Sequence, residues 1–130
     1  MKRHAALQNL SREHHQALKL ARLAQFAADS GSPLAIAQAA ATITERFPEE
    51  LESHFLSEEA DLLPALAARG EQALVERTLA EHEALRQFNR QLARPDAATL
   101  ARFGTMLRDH VRFEERELFE TLQRLLYPDS

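Results

Sequence analysis

Two stretches of the chain place one histidine and two glutamates at the same spacing. Both read H-x-x-x-E-E-x-x-L, and they begin at His54 and at His110. Residues four apart on a helix lie on one face, about one turn apart. His54 with Glu58, and His110 with Glu114, can therefore each offer an imidazole nitrogen and a carboxylate oxygen to a shared point. Such donors, without sulfur, suit iron, manganese or zinc, and a bridging carboxylate favours a dinuclear centre.

Two more histidines fall on apolar helix faces. His82 is flanked by Leu79 and Leu85, which indicates an inward orientation. Near the N-terminus, His14 and His15 are alternatives. The residues one and two turns from His14 are all apolar: Leu10, Ala17, Leu18 and Ala21. The same positions around His15 are mostly polar: Ser11, Leu18, Lys19 and Arg22. The pattern favours His14 as the inward residue and leaves His15 as the alternative.

The joint pattern indicates a metal site more strongly than any of its parts. A single core histidine is usually packed and hydrogen-bonded, and a single histidine–glutamate pair is usually a surface contact. Four inward histidines and two inward carboxylates would be costly to bury without a partner, whereas one shared cation site satisfies them all. We assign no catalytic residue, and the predicted metal ligands are His14, His54, Glu58, His82, His110 and Glu114.

Helices must position these side chains. The 130-residue chain is rich in alanine, leucine, glutamate and arginine and has only 3 glycines, which predicts an all-α fold. Breaks near Ser32-Pro33, Gly70 and Pro95 leave four helices, over residues 4–29, 34–68, 71–93 and 97–126. Pro48 is expected to kink or split the second helix, and Pro64 to end its regular part early. The short connections predict an up-down-up-down four-helix bundle, with residues 1–130 as a single domain.

Composition excludes several classes of function. The chain has no cysteine, so disulfides, thiolate zinc sites and iron–sulfur clusters are excluded. A net charge of -4 provides no basic surface for nucleic acid or an anionic membrane. The N-terminus lacks the apolar stretch of a secretory signal, and no apolar run approaches a membrane span of about 18 residues. We therefore expect a cytoplasmic protein without a nucleic-acid or membrane partner.

Four separated elements together resemble the hemerythrin-like, HHE cation-binding family. They are Glu13-His14, the two H-x-x-x-E-E stretches and Glu81-His82, and the resemblance covers nearly the whole chain. It implies a hemerythrin-like bundle around a non-haem di-iron centre, with the six predicted ligands holding two iron ions and with Glu58 and Glu114 as bridging carboxylates. Zinc or manganese are possible substitutes.

The sequence departs from oxygen-carrying hemerythrin at two places. Thr78 stands where that protein has a second histidine, four residues before the third-helix ligand. Both Glu114 and Glu115 are available as the last carboxylate. One metal is therefore expected to keep an open or water-filled position, unless a further glutamate (Glu59, Glu81 or Glu115) completes it. We otherwise expect Glu59, Glu115 and Glu117 to face solvent.

The resemblance implies binding or sensing of oxygen, nitric oxide or a related small molecule. One alternative is a di-iron enzyme that removes peroxide or nitric oxide. Another is iron storage or detoxification, and the last is a metal-free interaction bundle. The sequence shows no dedicated substrate pocket, which favours binding over turnover, and it identifies no protein partner.

Overall fold

The computed structural model describes residues 3–128 and contains four long helices. We label them α1 (Ala5–Ser30), α2 (residues 33–68), α3 (Gln72–Gln91) and α4 (residues 97–126). The described part of the chain has no strand, so the predicted all-α bundle is confirmed, with helix boundaries within a few residues of those predicted. None of the helices in residues 3–128 is long and apolar enough to cross a membrane.

Local sequence sets the ends of the helices. The hydroxyl of Ser32 caps α2 by accepting a backbone N–H at 3.2 Å, and Pro33 is the first helical residue. The carboxylate of Asp96 caps α4 in the same way at 2.7 Å. Gly31 and Gly70 follow α1 and α2 with φ of 65° and 82°, a left-handed conformation in which glycine avoids strain. The predicted helix breaks are therefore encoded by these few residues.

Wide π-helical turns interrupt the regular α-helix in α2 and α4. They span Phe47–Glu52, Glu58–Leu62 and Glu114–Leu118. Pro48 lies inside the first turn, and Pro64 follows shortly after the second. Proline has no backbone N–H to donate, but Pro48 and Pro64 each lie in the first turn of their segment, where the missing donor disrupts the helix least. The prediction that Pro64 ends the regular helix was wrong, because α2 continues to Ala68.

α1 and α4 run antiparallel and approach each other closely. Arg3, just before α1, forms a 2.9 Å ion pair with Glu120 near the end of α4. Farther along the pair, a side chain at Gly104 would place its Cβ 2.9 Å from the backbone oxygen of Ala21. Glycine at this position allows the two backbones to come together.

A polar layer divides the core of the bundle into two apolar clusters. On one side lies the alanine-rich cluster, whose buried members include Ala17, Ala21, Ala24, Ile43, Leu100 and Phe103. On the other side lies the leucine–phenylalanine cluster, which consists of Leu7, Leu62, Leu63, Leu66, Val75, Phe113, Leu118, Phe119 and Leu122. The histidines and glutamates singled out by the sequence lie between the two clusters.

Candidate metal centre

The structure brings all six predicted ligands together in one buried layer. α1 supplies His14 and α3 supplies His82, whereas α2 and α4 each supply a histidine and a glutamate: His54, Glu58, His110 and Glu114. Each of the six is at most 5% exposed. His15, the alternative on α1, is exposed. The layer therefore selects His14.

The Nε2 atoms of the four histidines converge on the two central carboxylates. The shortest of these inner distances are 2.8 Å from His14 to Glu114, 2.9 Å from His82 to Glu58, 3.0 Å from His110 to Glu114 and 3.2 Å from His54 to Glu58. Glu58 and Glu114 both begin π-helical turns, in which a backbone N–H bonds to the carbonyl five residues earlier. Single π turns of this kind are frequent at functional sites in helices.

The donor atoms form two overlapping groups, each of which could hold one cation. His14 and His54 share Glu58 and Glu114 in the group that we call the first position. His82 shares the same two carboxylates with His110 in the second position. Within each group the ligand atoms lie within 4.8 Å of one another. Two cations held here would be bridged by both glutamates.

Each histidine also contacts a second carboxylate through Nδ1. We call these four residues the outer glutamates, and the distances are 2.6 Å for His14–Glu115, 2.8 Å for His54–Glu13, 2.8 Å for His82–Glu59 and 2.7 Å for His110–Glu81. An Nδ1–H that donates to a carboxylate fixes the tautomer and turns the Nε2 lone pair inward. In this arrangement all four imidazoles could serve as neutral metal ligands.

The outer contacts repeat with approximate two-fold symmetry. The glutamate just before the histidine of α1 bonds to the histidine of α2, and the same relation joins α3 to α4. The second glutamate of each H-x-x-x-E-E stretch bonds to the histidine of another helix, from α2 to α3 and from α4 to α1. Every histidine and glutamate of the repeated motifs therefore has a place in the layer.

This arrangement corrects the sequence analysis. Glu59 and Glu115 were predicted to face solvent, but their side chains are only 22% and 29% exposed and each holds an imidazole. Glu58 and Glu114, the residues just before them, are the two inner carboxylates. Glu59 and Glu115 are therefore not needed at the inner positions. Glu117 is 55% exposed, as predicted. The repetition of E-H and E-E across the chain was the available signal for the outer glutamates.

Three arginines hold three of the outer glutamates. Arg3 bonds to Glu115 at 3.2 Å, Arg77 to Glu81 at 3.0 Å and Arg86 to Glu59 at 3.0 Å. Each arginine also reaches a second acidic residue: Glu120, Glu117 and Glu52, respectively. The nine carboxylates in and around the layer outnumber the three guanidinium groups, and two divalent cations would offset part of this excess of negative charge.

Buried atoms without hydrogen bonds test whether this donor set fits a metal. Within residues 3–128, Glu58 Oε2, Glu114 Oε2 and His110 Nε2 are buried and lack a hydrogen-bond partner. The last two lie 3.0 Å apart but are not aligned for a hydrogen bond. Buried polar atoms normally have hydrogen-bond partners, and leaving them without one costs free energy. A cation between them satisfies both, so the residues fit a metal.

The pKa values of the histidines also show that the layer favours bound positive charge. Burial by itself would lower the pKa of His54, but a hydrogen bond with Glu114 and the negative charges of Glu58 and Glu114 outweigh it and raise the pKa to about 11. Burial is likewise outweighed at His110, where the negative charge of Glu114, the hydrogen bond with Glu81 and the charge of Glu58 raise the pKa to about 10. Without metal, protons on the histidines supply this positive charge. Metal ions and protons therefore compete for the same histidine nitrogens.

Aromatic rings and one buried hydroxyl complete the surroundings. Phe55 stacks on His82 with ring centroids 4.1 Å apart, and Phe119 stacks on His14 at 5.3 Å. Thr78, one turn before His82, is fully buried, and its hydroxyl donates to the carbonyl of Leu74 at 2.7 Å. The hydroxyl is therefore satisfied by its own helix.

The comparisons with known proteins agree with this geometry. The family model described as the hemerythrin HHE cation binding domain matches residues 5–122, which is most of the chain. No curated protein and no solved structure matches significantly. The buried layer of histidines and glutamates could hold metal ions, and the chain belongs to the hemerythrin HHE cation-binding domain family.

Proposed function

We propose that the layer holds a non-haem di-iron centre that binds or senses oxygen, nitric oxide or a related small molecule. The observation that carries the proposal is that the two positions share both Glu58 and Glu114. A single structural metal would need only one such group. Two groups joined through the same carboxylates instead support a pair of bridged metal ions.

The donor chemistry supports iron. Each position offers two imidazole nitrogens and oxygens from two carboxylates. Nitrogen and oxygen donors without sulfur suit iron, and also zinc or manganese, which are the expected substitutes. When bound, such a di-iron pair supplies reversible electron donation to a small diatomic ligand.

The protein's part is to leave room for a ligand while excluding larger molecules. Two histidines and two shared carboxylates leave coordination positions open on each iron. We place the ligand at the second position, beside Thr78, because this residue offers no imidazole to fill the space. The burial of all six ligands favours a diatomic molecule over a bulky substrate.

Oxygen exposure of reconstituted protein tests the proposal. Metal-free protein is loaded with ferrous iron in the absence of oxygen and then exposed to air while its visible spectrum is followed. We expect new visible absorption that bleaches when oxygen is removed. His14→Ala should weaken this response, whereas His15→Ala, which changes an exposed neighbour, should not.

Other outcomes would redirect or overturn the proposal. Absorption that does not bleach, together with steady consumption of added peroxide or nitric oxide, would favour the enzyme alternative. Iron uptake without any spectral change in air would favour storage and would contradict oxygen binding. A response that survives His14→Ala unchanged would contradict the assigned ligand.

A further inference from the structure

Each histidine and its outer glutamate form what we call a corner of the layer. The four corners are not held in place equally well. His54 and its outer partner Glu13 differ from the other three corners in three respects. The side chain of Glu13 is 51% exposed, against 22% to 29% for Glu59, Glu81 and Glu115. Glu13 therefore holds its histidine from the solvent side of the bundle, where water competes for the same hydrogen bond.

Glu13 also lacks the arginine that secures each of the other outer glutamates. Within residues 3–128, its one recorded ion pair is the 2.8 Å contact with His54. At the symmetry-related corner, Arg77 holds Glu81 from one turn earlier on the same helix, at 3.0 Å. The residue one turn before Glu13 is Asn9, which is exposed and uncharged.

The inner contact of His54 is the loosest of the four. Its Nε2 lies 3.2 Å from Glu58 and 3.5 Å from Glu114. The shortest inner distances of the other three histidines are 2.8 to 3.0 Å. One corner therefore has the most exposed outer carboxylate, no arginine and the longest inner contact. It is the corner formed by His54 and Glu13.

From this asymmetry we infer that metal ions enter and leave the layer at the His54–Glu13 corner. The imidazole of His54 swings outward with Glu13, and an ion passes into or out of the first position. The second position exchanges more slowly, since its histidines are held through Arg86 and Arg77. The inference rests on the proposed occupancy of both positions.

Release of ferrous iron to a chelator tests this inference. Fully loaded protein is mixed without oxygen with an excess of 2,2′-bipyridine, whose ferrous complex is coloured. We expect two phases of equal size, the faster one from the first position. Glu13→Gln should speed the fast phase by roughly tenfold, because the bond from His54 to its outer carboxylate breaks before the ion leaves. Glu81→Gln, at the symmetry-related corner, should instead speed the slow phase, because it loosens His110 of the second position.

A complementary substitution secures the corner instead of loosening it. Asn9→Arg recreates on α1 the spacing of Arg77 and Glu81 and should slow the fast phase by about twofold, the effect of one exposed helical ion pair. Both Asn9 and Glu13 are exposed, so their variants should fold, as circular dichroism would show.

The outcomes separate this inference from the proposed function. Two irons per chain released at one common rate, or a fast phase accelerated equally by Glu13→Gln and Glu81→Gln, would overturn the inference and leave the di-iron proposal standing. Fewer than two irons per chain before the chelator is added would overturn both.

Discussion

The polar layer and the alanine-rich cluster occupy neighbouring parts of the same bundle but are stabilised in different ways. The cluster buries side chains such as Leu100 and Phe103 completely and needs nothing beyond close packing. The layer buries Glu58 and Glu114 just as completely, yet leaves an oxygen of each without a hydrogen bond. The cluster therefore stabilises the bundle with or without metal, whereas the layer has buried polar atoms that a bound cation would satisfy.

The largest expected effect lies in the cluster. Phe103→Ala removes a fully buried ring and should lower the free energy of unfolding by about 3–5 kcal/mol. Urea denaturation should show the same loss in metal-free and metal-loaded protein. A loss that appears only in the loaded protein would mean that the cluster and the layer are not independent.

The contribution of the layer to the free energy of unfolding should depend on bound metal, unlike that of the cluster. Iron at about 1,000 times its dissociation constant should raise the free energy of unfolding by about 4 kcal/mol, because only the folded chain presents the site. Glu114→Gln should abolish most of this gain, since Glu114 serves both positions. Glu117→Gln, at an exposed glutamate of the same helix, is the matched control. Equal gains in the two variants, measured by thermal melting, would contradict the shared carboxylate.

The outer glutamates should have an intermediate effect. Glu59→Gln removes the carboxylate that orients His82 and should weaken iron binding by roughly 10–100-fold. Glu45→Gln, on an exposed face of α2, should leave the affinity unchanged. Titration of metal-free protein with ferrous iron measures both. If Glu59→Gln bound iron as tightly as the control, the contact would be one of packing alone.

The smallest effect concerns the open position. Thr78→His would place an imidazole one turn from His82 and should slow oxidation of the ferrous protein in air by about tenfold, equivalent to about 1.4 kcal/mol on the barrier. Thr78→Val keeps the size of the side chain and should react as the native protein does. Stopped-flow absorbance measures the rates, and an unchanged rate in Thr78→His would exclude ligand binding beside this residue.

Local sequence was sufficient for the fold and the inner layer. Caps at Ser32 and Asp96 and the glycine at position 70 are local signals, so the helix boundaries could be predicted closely. The inward direction of His14 followed from the apolar residues one turn away. Each of these features depends on one helix alone, which explains why it could be predicted without a structure.

Features that depend on several helices were harder to predict. Glu115 bonds to an imidazole on α1, and Glu59 to one on α3, so neither contact follows from the pattern of a single helix. The π turns at Glu58 and Glu114 were not predicted from the sequence. The role of the repeated Glu-His and Glu-Glu pairs becomes clear only when the four helices are assembled, because their contacts join different helices.

X-ray absorption spectroscopy of iron-loaded protein, with the metal content measured on the same sample, tests the central claim most directly. We expect two irons per chain, nitrogen and oxygen ligands without sulfur, and an iron–iron distance of about 3.5–4 Å set by the shared carboxylates. One iron per chain, or two without an iron–iron signal, would contradict a bridged pair at Glu58 and Glu114.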